Sequence, residues 1–468
     1  MKFSVNNTVK CGPRLGLLKE IEKHPNMSLE TPMAMLYTRG GSIPHITNEV
    51  FKLVSHESQI IQIPLVSTYN FEDAMNDFQG DIADFVGMKE CISCVTVQDP
   101  ADYTQPGHHF QNCIPLWTRQ GKVLINAKLY MNSIEAFKPD MYYLLSDSDT
   151  NIASSVKRTS NAVSNTISYF KECMERHEKS KVLKNSFVMG TIAGGYCFKS
   201  RKDCIDAVCS NDIVGGYLID GLHNNGPEVE LQKAEELKPI VKYVIEKLPQ
   251  EKLRAIHGCW NPVTVLELVQ LGIDLFDTSY CYILTERSCA LTFSLDVEDK
   301  NDQYELNLRQ QQYADDFQPI LSGCTCLTCS KYSRGYIHHL VTVQELLGPL
   351  LLTIHNVHHY LKFFEKIREC IRNGTLSQLQ EKITSQFNAY QEIITKKQTL
   401  VNVSKLKENN KDSDVSNQTP RTDNSSITEE DATEDSDAFD NDIIKETQND
   451  TRTTVMETIN KTEVKSIS

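Results

Sequence analysis

Leu253-Arg254-Ala255-Ile256-His257-Gly258-Cys259-Trp260-Asn261-Pro262-Val263-Thr264-Val265-Leu266-Glu267-Leu268-Val269-Gln270-Leu271-Gly272-Ile273-Asp274-Leu275-Phe276-Asp277 reads as a strand, a helix and a second strand. Leu253 to His257 is strand-like. Asn261 then offers a side-chain oxygen to cap a helix, and Pro262 suits its first position, where an N–H would lack a partner anyway. Val265, Leu268 and Val269 share one helical face until Gly272 stops the helix, and Ile273 to Asp277 forms the next strand. Two strands joined through a helix in so few residues are parallel neighbours in one sheet.

The same alternation extends outward. Met141 to Leu145, Phe187 to Ile192 leading into Gly194-Gly195, and Val214 to Ile219 leading into Asp220-Gly221 are further strands, with long helical patterns between several of them. Repetition over residues 1–400 predicts an α/β protein built as a (β/α)8 barrel. An open doubly wound sheet is the structural rival, but neither G-x-G-x-x-G nor G-x-x-x-x-G-K-[ST] occurs to support it.

The chain has 468 residues, 40% of them apolar, with 62 acidic and 48 basic side chains and a net charge of −14. That composition supports a large core and excludes a fibrous or mostly disordered protein. It also argues against binding a polyanion by bulk charge. From Val401 to Ser468 the composition turns to Asn, Ser, Thr, Asp and Glu, which predicts a disordered acidic C-terminal tail. With 16 acidic and 8 basic residues, this tail carries −8 of the −14 and leaves −6 on residues 1–400. The longest nearly unbroken apolar stretch, Leu346 to Ile354, is far below the roughly 20 residues of a membrane-spanning helix. Met1 to Asn7 shows no secretory h-region, and 15 scattered cysteines in a long chain fit free thiols in a reducing compartment. The expected location is cytoplasmic.

Cys324-Thr325-Cys326-Leu327-Thr328-Cys329 is the strongest chemical signal. Three thiolates gathered in six residues suit zinc, which takes four soft or borderline ligands in a tetrahedron. His338, His339, His355, His358 and His359 all follow closely, and spacing does not choose the fourth ligand among them. Val357, Leu361, Phe364 and Ile371 mark the apolar stripe of a helix ending at Asn373-Gly374; His358 lies near that stripe, while His355 and His359 share a neighbouring face. Four protein ligands would make the site structural, a zinc subdomain over about 320–375 inserted in the barrel. Cys91-x-x-Cys94 has no partner pair and reads as ordinary core cysteines.

These residues resemble the tRNA-guanine transglycosylases, which exchange a guanine in tRNA for a deazaguanine base. The resemblance runs from about residue 10 to 375. It is carried by the three cysteines with Tyr332-Ser333-Arg334-Gly335-Tyr336-Ile337-His338-His339-Leu340 and Ile354-His355-Asn356, and by Arg14-Leu15-Gly16, Thr31-Pro32 and Thr38-Arg39-Gly40-Gly41-Ser42. Met189 to Gly195, Gly216 to Leu222 and Gly272 to Asp277 complete it. It implies a barrel with one structural Zn2+ per chain, bound by Cys324, Cys326, Cys329 and His355.

Asp277 stands where the family places its nucleophile. The Asp-Ser-Gly-Gly-Phe-Gln of catalytic members has no counterpart, Ala193 replaces the base-reading glutamine before Gly194-Gly195, and Gln62-Ile63-Pro64-Leu65 replaces their Asn-Thr-Tyr-His. With the general acid/base and a base-reading amide missing, the resemblance implies a non-catalytic subunit with no catalytic residues of its own. Such a subunit would form a heterodimer with a catalytic queuine tRNA-ribosyltransferase subunit through the zinc-bearing region and position tRNA for exchange at anticodon position 34. The resemblance also allows peripheral association with the mitochondrial outer membrane. Arg287, Lys331, Arg334, Lys362, Lys366, Arg368 and Arg372 are candidate phosphate contacts. The alternatives are an active transglycosylase using Asp277, and a zinc-stabilised RNA- or protein-binding barrel with no part in base exchange.

Overall fold

The computed structural model describes residues 1–6, 12–108, 112–299 and 302–415, with side chains up to residue 395. The chain divides into two compact units, Met1–Thr399 and Leu400–Ser468. The last helix, Leu376–Val415, contains neither Gly nor Pro and runs past residue 401, where the tail was expected to begin. The rest of that tail lies outside the described residues.

Three short strands, β1 (Lys2–Val5), β2 (Gly16–Lys19) and β3 (Leu29–Thr31), form an antiparallel sheet. Next come β4 (Met33–Tyr37), β5 (Ile60–Pro64) and β6 (Ile92–Thr96), then a hairpin of β7 (Ile114–Thr118) and β8 (Gly121–Ile125). The series continues with β9 (Met141–Tyr143), β10 (Phe187–Ile192), β11 (Gly216–Ile219), β12 (Leu253–Ala255) and β13 (Leu275–Asp277). Strands β4, β5, β6, β9, β10, β11, β12 and β13 pair in that order, all parallel, and β13 returns to β4. The expected eight-stranded barrel is closed, which removes the open-sheet rival. A second hairpin, β14 (Cys289–Leu291) with β15 (Glu305–Asn307), follows it.

The unit that opened the reading folds as its sequence dictates. Asn261 caps the helix Pro262–Leu271 by accepting from the Thr264 N–H, and Gly272 ends it in the left-handed conformation. Val265, Leu266, Leu268 and Val269 are buried, each stabilising the fold by roughly 1.5–3 kcal/mol. Strand β12 is shorter than the apolar run suggested, although the Ile256 N–H still donates to the Leu275 carbonyl at 3.0 Å, and His257 follows it into the lining of the cavity at the mouth.

Alternate strand residues fill the barrel: Met35, Ile60, Ile92, Cys94, Met141, Tyr143, Met189, Leu218, Ala255 and Leu275 among them. Phe3, Leu18 and Leu29 of the N-terminal sheet, with Ile21 just after β2, join this interior cluster. A larger core lies between the strands and the surrounding helices, and Cys91 belongs to it. Cys91 and Cys94 are thus buried free thiols in different cores, as a core reading requires. A third cluster, with Leu306, Leu308, Tyr313, Ile320, Ile337, Leu340 and Leu351, gives the cysteine-bearing subdomain a core of its own.

Candidate functional site

The cysteine cluster begins in a loop and ends in a short helix, Leu327–Lys331, for which Cys326 is the N-cap: its sulfur accepts from the Cys329 N–H at 3.3 Å. That capping bend brings Cys326 and Cys329 to one point. Above them runs the 27-residue helix Leu347–Asn373, which opens on the apolar stretch Leu346 to Ile354 and ends at Gly374, left-handed as its C-cap. Pro349 falls in its first turn, where its missing N–H costs nothing.

From this helix His355 projects into the cluster. Its Nδ1 lies 3.9 Å from Cys324 Sγ, 3.6 Å from Cys326 Sγ and 3.3 Å from Cys329 Sγ. The four ligand atoms all fall within 4.8 Å of one another. A tetrahedral ion with bonds of about 2.3 Å to sulfur and about 2.0 Å to nitrogen would set sulfur–nitrogen edges at about 3.5 Å. The four side chains therefore lie close enough to bind one metal ion, and no other such group occurs among the described residues.

The remaining valences of the histidine are also fixed. Its Nε2–H donates to the Leu291 carbonyl at 2.7 Å, which leaves the Nδ1 lone pair facing the thiols. The next residue, Asn356, clasps the same strand by accepting from the Leu291 N–H at 2.9 Å and donating to the Cys289 carbonyl at 2.9 Å. Burial favours the neutral imidazole, but the Cys324 and Cys326 thiols outweigh it and push His355 up to about 9. The Cys326 and Cys329 thiols hold Cys324 well below the ordinary thiol range. A cation here would displace those protons.

The other candidate histidines lie outside the group, and His339 is exposed on the helix Arg334–Thr342. His338 faces the Leu308 carbonyl at 2.8 Å, and His358 is 3.4 Å from Thr325 Oγ1 and from the Val54 carbonyl. His359 stacks beside His355 with ring centroids 6.0 Å apart and is not among the four grouped ligands.

At the C-terminal end of the barrel, Asp277 is 2% exposed. One carboxylate oxygen accepts from the Gly258 N–H and the other from the Ser279 N–H, both at 2.9 Å. Burial pushes its carboxyl up, and these donors recover only part of that shift. Beside it, His257 Nε2 is 3.3 Å from Asp220 Oδ1. Burial opposes charge on both, yet the pair wins: His257 is raised, and Asp220 is held well below the usual carboxylate range. Sequence reasoning missed this pair, although both residues stand at the ends of strands it had identified.

Ala193 is fully buried before Gly194 and Gly195, both at positive φ, and offers no amide to a ligand. Beyond β6, Asp99 is 3% exposed and takes the Tyr37 hydroxyl at 2.8 and 2.9 Å. Burial pushes this carboxyl up to about 6, helped by the neighbouring Asp102. The cavity at the mouth, lined by Tyr143, Asp220, His223 and His257, holds about 40 Å³, against roughly 300–1,000 Å³ for small-molecule sites. Asp277 is not among the described residues that line it.

A family model described as queuine tRNA-ribosyltransferase matches residues 10–389. This chain belongs to the queuine tRNA-ribosyltransferase family. Among curated relatives, the queuine tRNA-ribosyltransferase accessory subunit 2 of Aedes aegypti is 38% identical over 391 residues, covering 82% of this chain and 93% of the relative. The protein of the same name from Anopheles gambiae is 38% identical over 391 residues, with 82% and 90% covered. That of Drosophila melanogaster is 36% identical over 394 residues, with 82% and 93% covered. Membership in the queuine tRNA-ribosyltransferase family accounts for the barrel and for the motif order along the chain.

Most of the candidate phosphate contacts are occupied within the chain. Arg287 pairs with Glu230, Arg334 with Asp316, Lys362 with Glu365, Lys366 with Glu369, and both Arg368 and Arg372 with Glu30. Lys331, at the end of the short helix, makes no ion pair among the described residues.

Proposed function

We propose that this chain is the non-catalytic accessory subunit of a queuine tRNA-ribosyltransferase, supporting exchange of guanine for queuine at anticodon position 34 of tRNA. The observation that carries the reading is the buried carboxylate: Asp277 is 2% exposed and both its oxygens are held by backbone donors, beside the His257–Asp220 pair. An aspartate nucleophile must reach the ribose C1′ and needs an acid/base partner. The carboxylate that follows β6, Asp99, is instead tied to Tyr37. The name borne by the relatives supports the same conclusion.

The metal in this reading is one structural Zn2+, held by Cys324, Cys326, Cys329 and His355. Zinc suits a closed S₃N donor set, and it would join the cysteine loop to the helix of His355 and, through Leu291, to β14. Four protein ligands leave no coordination position for substrate.

The partner would be the catalytic subunit, docked on the metal-bearing subdomain. Tyr332 and Tyr336 stack there with centroids 5.6 Å apart, and Tyr336 is 42% exposed. Phe317, 80% exposed, lies beside them, since the flanking Asp316 and Gln318 carbonyls accept the Gly335 and Arg334 N–H groups. Exposed aromatics of this kind favour protein contacts. Because the basic side chains are largely paired internally, most of the phosphate-binding surface would come from the partner. A cytoplasmic setting with peripheral association at the mitochondrial outer membrane follows from the resemblance alone; among the described residues no helix is long and apolar enough to cross a membrane.

The test is incorporation of labelled guanine into tRNA by each chain alone and by the mixture. Exchange should require the mixture. Exchange by this chain alone, abolished by Asp277→Asn, would overturn the proposal in favour of an active enzyme. Failure to form a stoichiometric complex with the catalytic chain would favour a binding barrel outside base exchange.

A further inference from the structure

The ribbon of β14 and β15 has two strands, so one edge of β14 lacks a strand neighbour among the described residues. Antiparallel partners bond through alternate residues. Here the Ser288 carbonyl accepts from the Leu308 N–H, and the Thr292 N–H donates to the Tyr304 carbonyl. The backbone groups of Cys289 and Leu291 therefore face the free edge, and both residues are buried. Buried backbone groups are costly unless something pairs with them.

Two adjacent side chains of the helix Leu347–Asn373 supply the partners. Asn356, fully buried, accepts from the Leu291 N–H and donates to the Cys289 carbonyl, both at 2.9 Å. Its Nδ2 also reaches Thr285 Oγ1 at 3.1 Å. His355 takes the Leu291 carbonyl at 2.7 Å, and one turn on His359 meets the backbone of Phe293, two residues further along. Asn356 grips two strand residues at once and so sets where the strand lies along the helix. Because the N–H and the carbonyl of Leu291 belong to one residue, holding the first places the second. That carbonyl decides which ring nitrogen faces the sulfurs, since a histidine donating through Nε2–H keeps its Nδ1 lone pair for a metal.

We infer that Asn356 is a positioning residue for the metal: it fixes the free edge of β14 so that the Leu291 carbonyl turns the His355 ring with Nδ1 toward the three thiols. The inference rests on the metal site proposed above and adds to it a side chain that is not itself a ligand.

Chelator competition for Zn2+ on the full chain tests this. Wild type should bind one ion, and Asn356→Ala should bind it about 10–100-fold more weakly. With Co2+ in place of Zn2+, the variant should also lose intensity in the visible bands of a tetrahedral site, a signature that general destabilisation does not move. Ile367→Val, a buried change further along the same helix, should lower Tm and leave both readouts as in wild type. Should Asn356→Ala fail to fold, Thr285→Val removes only the hydroxyl that steadies the amide, and it should weaken Zn2+ binding in the same direction. Wild-type affinity with an unchanged cobalt spectrum in the folded variant overturns the role, and so does an equal loss of affinity in Ile367→Val. A wild type that binds no ion overturns the site and the role together.

Discussion

Arg14 and Asp274, separated by 260 residues, are joined by a buried pair of parallel hydrogen bonds: Arg14 Nε donates to Asp274 Oδ1 at 2.8 Å, and Nη2 donates to Oδ2. Two further guanidinium hydrogens go to the Gln250 and Lys252 carbonyls, and Asp274 also takes the Arg254 N–H. This pair ties the N-terminal sheet to the start of the last barrel strand. Arg14→Met would leave the Asp274 charge buried and unpaired, and should cost about 3–5 kcal/mol in urea unfolding. Arg14→Met with Asp274→Leu should recover much of that loss.

Metal analysis of the full chain should return one ion per molecule. Cys326→Ser should abolish binding and lower Tm, because it removes a thiolate ligand while the serine hydroxyl can still cap the following helix. Chelation of the wild type should lower Tm to a similar extent. A wild-type content well below one ion would reject the site.

His223 sets an acid limit on stability. Burial, with His257 adding to it, pulls its imidazole down to about 4, while the unfolded chain takes up the proton near 6.5. Between those values the unfolded state binds more protons, so this residue lowers stability as pH falls from about 6.5 to about 4. The loss is at most about 3 kcal/mol. His223→Asn should flatten that limb of the stability curve, measured by urea unfolding at pH 7 and pH 5.

Asp277→Asn should leave exchange by the mixed subunits unchanged. It should nevertheless destabilise this chain by about 1–3 kcal/mol, since an amide presents an NH₂ to one of the two N–H groups the carboxylate accepts. Tracer incorporation and unfolding of the same variant separate the two effects.

Tyr336→Asp should weaken copurification with the catalytic subunit while leaving metal content intact. The side chain is 42% exposed and its loss opens no core, so an unchanged complex would remove the subdomain face from the interface.

What the sequence disclosed was local. The helix capped by Asn261 and stopped by Gly272 was legible because both signals act within one turn, and the three cysteines because their spacing is itself the geometry. His355 could not be told from His359 by periodicity. What separates them is the Leu291 carbonyl, 64 positions away, which fixes one ring against the sulfurs. The Arg14 pair and the His257–Asp220 pair were hidden for the same reason: each exists only once the barrel has closed. Charge counting named seven cationic candidates, but it could not show that Glu30, Glu230 and Asp316 had already claimed four of them.

The Leu291 carbonyl has a further implication. One imidazole makes a single node of three stretches of backbone, from residues near 290, 325 and 355. Under metal starvation that node would come undone first, and the tyrosine-bearing face would go with it. If the proposed docking on this face holds, a cell short of the ion would lose the assembly through this chain.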